Sequence, residues 1–261
     1  MLAAILTLVS LFSGYAYAED IEDNSFLIEE AYNQEPGVVQ FINSYQTFNK
    51  SKDWNYLFVN EIPMGSQNHQ FSYSVPYNHV DGNSATGTGD VLLNYRYQLV
   101  NTETIAMAPR ISLIMPSGKY KEGLGTGATG LQFNHAVSLK VNNKWVNHWN
   151  LGFTWTPDAK EAGGEKATTT SLNYGASVIY LLSETLNLMT EFVGSSNETA
   201  LPGNQTQRAD TFFVVPGIRY AINLESGWQI VPGIAFPIGI GPSERENGVL
   251  GYLSIEGKVF N

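Results

Sequence analysis

From Gly87 to the C-terminus the chain alternates apolar and polar residues, in stretches separated by connections that are alternately short and long. The segment from Gly89 to Leu99 is the clearest: Val91, Leu93, Tyr95, Tyr97 and Leu99 fall on one side, and Asp90, Asn94, Arg96 and Gln98 on the other. Successive side chains of a strand point to opposite faces, so this strand has one apolar face and one that carries charge. The same parity recurs downstream. Leu131, Phe133, Val137 and Leu139 oppose Gln132, Asn134, Ser138 and Lys140, while Trp149, Leu151, Phe153 and Trp155 oppose His148, Asn150, Gly152 and Thr154. A sandwich produces such alternation too; the loop rhythm separates it from a membrane barrel, whose turns are short on one side and whose loops are longer on the other.

This pattern predicts an all-β chain, an antiparallel transmembrane β-barrel of about twelve strands. They are placed at 37–48, 54–62, 69–79, 89–99, 104–115, 130–140, 145–156, 170–182, 185–194, 210–221, 227–238 and 248–260. The outward connections are then Lys50–Asp53, His79–Thr88, Pro116–Thr129, Pro157–Thr169, Ser195–Ala209 and Gly239–Asn247, long in every case but the first. The inward ones, such as Asn101–Glu103 and Ser183–Glu184, are short. Three prolines, Pro109, Pro216 and Pro232, fall inside strands and cannot donate to a ladder, which predicts bulges there, with Pro216-Gly217 and Pro232-Gly233 bending two neighbouring strands together.

The N-terminus reads differently. Leu2 to Ala18 is apolar but shorter than the roughly 20 residues of a spanning helix, and it ends in Ala16-Tyr17-Ala18, an A-x-A cleavage pattern, so 1–18 reads as a secretory signal peptide. Residues 19–36 are acidic and poor in β-formers, a periplasmic N-terminal segment that serves as a flexible tail or a partial plug, and 37–261 form the barrel. An exported chain with no cysteine has no disulfide to hold it, a demand that sheet closure meets. Charged residues make up only 15 % while Tyr reaches 14 copies, which suits a surface divided between lipid and an aromatic girdle. A net charge of −10 argues against nucleic acid as a partner.

The segments "NSFLIEEAYNQEPGVVQ" (24–40), "GTGDVLLNYRYQLV" (87–100), "APRISLIMPSG" (108–118) and "VPGIRYAINLESGWQIVPGIAFPIGIGPS" (215–243) resemble the MetA-pathway phenol-degradation family of outer-membrane proteins, over essentially the whole mature chain. The resemblance implies a transporter-like barrel of the bacterial outer membrane and uptake of small molecules, aromatic or hydrophobic ones among them. It implies no particular solute.

Inward-facing charges are the candidate functional residues. Asp90, Arg96, Arg110, Lys140, Glu191, Arg219 and Glu256, with Lys258, point into the lumen on this parity. Either they form a constriction that selects solutes, or they make an ion-pair network that braces a barrel of intermediate width. The inward apolar residues Leu92, Ile114, Ile179, Met189, Val193 and Phe213 either pack around those charges or line a path for an apolar solute. No metal spacing appears among the four histidines and no cofactor motif is present, so neither catalytic, cofactor-binding nor metal-binding residues are assigned and the chain reads as a non-enzyme. A lipid-active enzyme requires a cross-strand partner for the lipid-facing His135, since Ser138 in the same strand faces the other way. The expected partners are outer-membrane lipid, small solutes and the barrel-assembly machinery that reads the last strand; the alternative to a channel is a non-conducting barrel whose outward loops, Lys119–Thr129 and Ser195–Ala209 above all, bind at the surface.

Overall fold

A computed structural model describes residues 25–260; the expected signal peptide, 1–18, and residues 19–24 lie outside the described residues. Twelve antiparallel strands follow one another around a ring: β1 (Val38–Phe48), β2 (Trp54–Pro63), β3 (His69–Val80), β4 (Val91–Tyr97), β5 (Ile105–Met115), β6 (Gly130–Asn142), β7 (Trp145–Lys160), β8 (Lys166–Ser183), β9 (Leu186–Leu201), β10 (Gln205–Tyr220), β11 (Gln229–Ala235) and β12 (Gly248–Lys258). β1 pairs with both β2 and β12, and β11 with both β10 and β12, so the sheet has no edge. Closure removes the free strand edge whose backbone groups lipid would leave without a partner.

The two faces of the wall invert the arrangement of a soluble protein. Leu93, Ile111, Phe133, Trp149, Leu151 and Phe153 stand exposed on the outside, whereas Asn94, Arg96, Asn134, Ser138, Ser177 and Glu191 are buried within. Such an exterior requires lipid around it. Exposed aromatic rings mark both margins of the band: Tyr45, Tyr77 and Trp155 near the outward ends of their strands, Tyr97, Trp145 and Tyr220 near the inward ends.

Strand boundaries follow the alternation closely except in the expected loop His79–Thr88, where Ala85–Thr88 pairs back on Tyr77–Val80, and on one side of the barrel. The expected long loops Pro157–Thr169 and Ser195–Ala209 are for the most part strand: β7 runs to Lys160, β8 begins at Lys166, and β9 and β10 are joined by only residues 202–204. A spanning strand needs roughly 9–11 residues, and β7 to β10 have 16 to 18 each, so their outward ends rise beyond the lipid. There no apolar face is required. The period-two signal fades into Thr, Ser, Asn and Gln while the ladder continues.

The prolines resolve in two ways. Opposite Pro109 three residues, Tyr97 to Leu99, face two residues of β5, a bulge at the predicted place. Pro216 and Pro232 do not shift the register. Phe213-Val214, Gly217–Arg219 and Ile222-Asn223 lie opposite Ile238-Gly239, Gly233–Ala235 and Gln229-Ile230 as one continuous hairpin with gaps at the prolines. The expected paired bulge is therefore absent: Pro216 lacks a donor but its carbonyl still accepts the Phe236 N–H at 2.9 Å, so the hairpin keeps its alignment with half a bond pair.

Leu151, 57 % exposed, lies midway along the outward row of β7, so Leu151→Lys is expected to destabilise the refolded barrel in vesicles by about 2–4 kcal/mol. Thr199→Lys, on the part of β9 above the lipid, is expected to change the same urea titration by less than about 0.5 kcal/mol.

Candidate functional site

The lumen is occupied by the chain's own N-terminal segment. Residues 25–36 enter in front of β1 and lie inside the barrel without regular secondary structure; Ser25, Phe26, Ile28, Glu30, Ala31 and Asn33 are all buried. Of the two uses foreseen for this segment, a tail or a plug, residues 25–36 take the second, and they lie in the lumen instead of the periplasm because the wall binds their backbone. An extended chain away from a sheet carries N–H groups with no ladder partner. Here inward side chains supply the acceptors: Glu191 for the N–H of Leu27 and Ile28 (3.1 Å each), Asn150 Oδ1 for Glu29 (2.9 Å), Ser138 Oγ for Ala31 (2.8 Å), Gln98 Oε1 for Asn33 (2.8 Å) and Gln70 Oε1 for Gln34 (2.7 Å). Carbonyls are met in the same way: Arg96 donates to those of Glu30 (3.3 Å) and Tyr32 (2.6 Å), and Asn150 Nδ2 to that of Glu29 (2.7 Å).

Most of the predicted inward charges converge on this plug. Arg96, 2 % exposed, also donates to the Asn33 side chain (2.7 Å) and lies 3.5 Å from Glu61. Arg110 binds the Glu29 carboxylate with two nitrogens, at 3.0 and 2.7 Å. Glu29 belongs to the plug, outside the spanning strands; burial alone would raise its carboxyl, but the Arg110 guanidinium, with Arg96 further off, holds it below the ordinary carboxylate value. Lys140 places its ammonium 5.7 Å from the centre of the Tyr32 ring. Arg219 and Glu256 reach the plug through one neighbour. The Arg219 guanidinium stacks 5.8 Å from the Tyr252 ring, which meets Phe26 edge-on at 5.7 Å, and Gln40 donates to Glu256 (3.1 Å) while accepting from Gln34 of the plug (2.9 Å). Asp90 turns elsewhere: its carboxylate accepts the N–H of Gly118 (2.9 Å) and both the N–H and hydroxyl of Thr126 (2.7 Å each), tying down the outward loop 116–129.

The apolar side of the plug has its own sockets. Phe26 packs in a cluster with Ile42, Ile179, Met189, Val215, Leu250 and Tyr252, with Phe213 against it. Two inward glycines make room for its ring. A Cβ at Gly217 would stand 2.3 Å from Phe26, and one at Gly233 2.8 Å from it, while Gly175 does the same for Ile28 at 2.5 Å. Ala106, Ala108 and Ala136 surround Ala31 in the same manner. Small residues at inward positions of β5, β6, β8, β10 and β11 are thus the signal of a plug in the sequence, one that parity by itself does not distinguish from any other inward position.

Because the plug lies against that side, it leaves a cavity of about 340 Å³ along the other, walled by inward residues of β1 to β4 with Tyr252 and floored by Phe26 to Glu29. Leu92 lines it, so of the inward apolar residues some pack on the plug and one faces open space. His148, an inward residue, accepts or donates a 2.7 Å bond to Ser138 of the facing strand, a pair that the sequence reading did not make. Both are buried and Ser138 also holds the plug at Ala31, which makes the pair a bracket. The residues directly opposite His135 are Pro109 and Leu151, neither of them a nucleophile.

Gly217→Val is expected to expel Phe26 from its socket and to destabilise the folded chain by about 1–3 kcal/mol, read by denaturant titration. Proteolysis of the plug in the folded variant, absent in the parent chain, is the accompanying sign that the damage is local.

A scan of protein-family models and a search of curated proteins find no match to this chain. Solved structures do match. The chain is similar to the COG4313 outer membrane channel from Pseudomonas putida F1, with 14 % identity over 87 % of this chain and 97 % of that one and a TM-score of 0.65. It is similar also to the NanC porin (9 % identity, 84 % and 99 % covered, TM-score 0.54) and to the KdgM porin (7 % identity, 85 % and 99 % covered, TM-score 0.52). At these identities the likeness is one of architecture: the chain has the fold of outer-membrane channel barrels.

Proposed function

We propose that this chain is a bacterial outer-membrane channel, a passive route for small solutes narrowed by its own N-terminal segment. The observation that carries the reading is the cavity of about 340 Å³ beside the plug, a space that a barrel braced solid by its side chains would not keep. The fold of channel barrels agrees with it. Aromatic or hydrophobic solutes, and membership of the MetA-pathway phenol-degradation family, are supported by the sequence segments that resemble that family. The inward charges take a role between the two foreseen for them: Arg96, Arg110 and Glu191 anchor the plug and so set the width of the path.

The second reading, a closed barrel that acts at the surface, is favoured by the dense bonding of the plug. Its contact surface then includes the raised hairpins of β7 to β10 instead of a long loop at 195–209.

Single-channel conductance of the refolded mature chain in a planar bilayer tests both. Small steps are expected from the parent chain, and steps several-fold larger from a variant lacking residues 25–36. Arg96→Ala and Glu191→Ala are expected to give intermediate steps with flickering, as each removes backbone partners of the plug. Silence of the plug-less variant, folded by circular dichroism, would remove the channel and leave the surface role.

A further inference from the structure

The cavity beside the plug is layered, and its layers specify a kind of ligand. At its outward end Gln46 and Asn55 form a rim of neutral amides on neighbouring strands. Deeper the wall is mainly apolar over two steps, first Leu57 and Pro76 level with Ser44, then Ile42, Val59 and Leu92 level with Ser74. At the inward end of the wall it becomes polar again, with Glu61, Ser72 and Asn94. Asn94 Nδ2 donates to the hydroxyls of Ser72 and Ser74 at 3.1 and 3.2 Å, so each of those hydroxyls keeps its own proton to donate. On β1 the Ser44 hydroxyl and the Gln46 amide line the space and make no side-chain hydrogen bond among the described residues.

The charges of this region cancel. Glu29 is bound by Arg110 at 2.7 Å and Glu61 lies 3.5 Å from Arg96, so an ionic guest would meet no free counter-charge while crossing an apolar belt, which is costly. Size adds a bound. An apolar cavity of about 150 Å³ holds benzene, so one of about 340 Å³ holds roughly twelve heavy atoms. From Asn55 at the rim to Glu61 at the floor the strand advances about 20 Å, at about 3.4 Å per residue, which side chains on both ends shorten.

We propose that this cavity binds small uncharged molecules with an apolar middle and a hydrogen-bonding group at each end, one meeting the Gln46 amide and the other the hydroxyl of Ser72. The proposal rests on the channel reading for how such a molecule enters and leaves. It differs from a merely greasy pore, which would take an apolar molecule with one polar end equally well.

Titration calorimetry of the refolded mature chain in lipid nanodiscs, with empty nanodiscs subtracted, decides the matter with 1,10-decanediol, 1-decanol and decanedioate as probes. The diol is expected to bind at least tenfold more tightly than the dianion and at least threefold more tightly than the alcohol. Leu57→Trp, which fills the belt, is expected to weaken the diol at least tenfold. Gln46→Leu, a smaller change that tests the same site if the Trp variant does not fold, is expected to bring the diol down to the level of the alcohol. Equal affinity for the diol and either other probe, or an unaltered diol affinity in a folded Leu57→Trp or Gln46→Leu chain, overturns the proposal. Conductance of the same preparations separates it from the channel reading: diol binding by a silent chain upholds the ligand class and removes transport, whereas conductance without diol binding keeps transport and removes the ligand class.

Discussion

The whole molecule answers to one demand, that a peptide N–H or C=O away from water must find a partner. In the wall the ladder meets that demand, and closure of β12 onto β1 removes the edges that would leave it unmet. Residues 25–36 have no ladder. Their groups are met instead by the side chains of Gln70, Arg96, Gln98, Ser138, Asn150 and Glu191, which is why so many long polar residues are buried in the barrel. Buried carboxylates and guanidinium groups persist in such a place only when paired or hydrogen-bonded, and here the plug supplies the pairing.

From that demand follows the asymmetry of the lumen. The apolar side chains of the plug pack where inward positions are small, against Gly175, Gly217, Gly233 and the alanines around Ala31, while its polar anchors come from β3 and β4 as well as from β5, β6, β7 and β9. The opposite side, β1 to β4, stays partly open. Width, polarity and charge of the open space are then set jointly by wall and plug, a wall residue such as Arg96 acting through the plug groups it holds. The outward loop 116–129 is held by Asp90 in a comparable way, by backbone N–H groups gathered on one carboxylate.

The parity of apolar and polar residues identified a membrane barrel, its strand count and the inward direction of nearly every residue considered. That is possible because the side-chain period of a strand is a local property, imposed by lipid on one face and repeated without reference to any other part of the chain. The signal ended where the lipid ends. Above the membrane both faces of β7 to β10 meet water, the alternation is lost, and strand was read as loop. The register at Pro216 and Pro232 also lay beyond a local rule, because it depends on neighbouring pairs that hold the hairpin in line across the gaps.

Sequence alone therefore determined the architecture, the membrane-facing surface and the set of inward charges. Only the tertiary structure decided what those charges do. Whether Arg110 selects a solute or binds Glu29, and whether Ser138 stands alone or joins His148 and Ala31, depends on groups from 10 to 107 residues apart meeting across a closed ring. Parity says which face a residue occupies; the company it keeps there is set by the path of the plug, for which residues 25–36 carry no period.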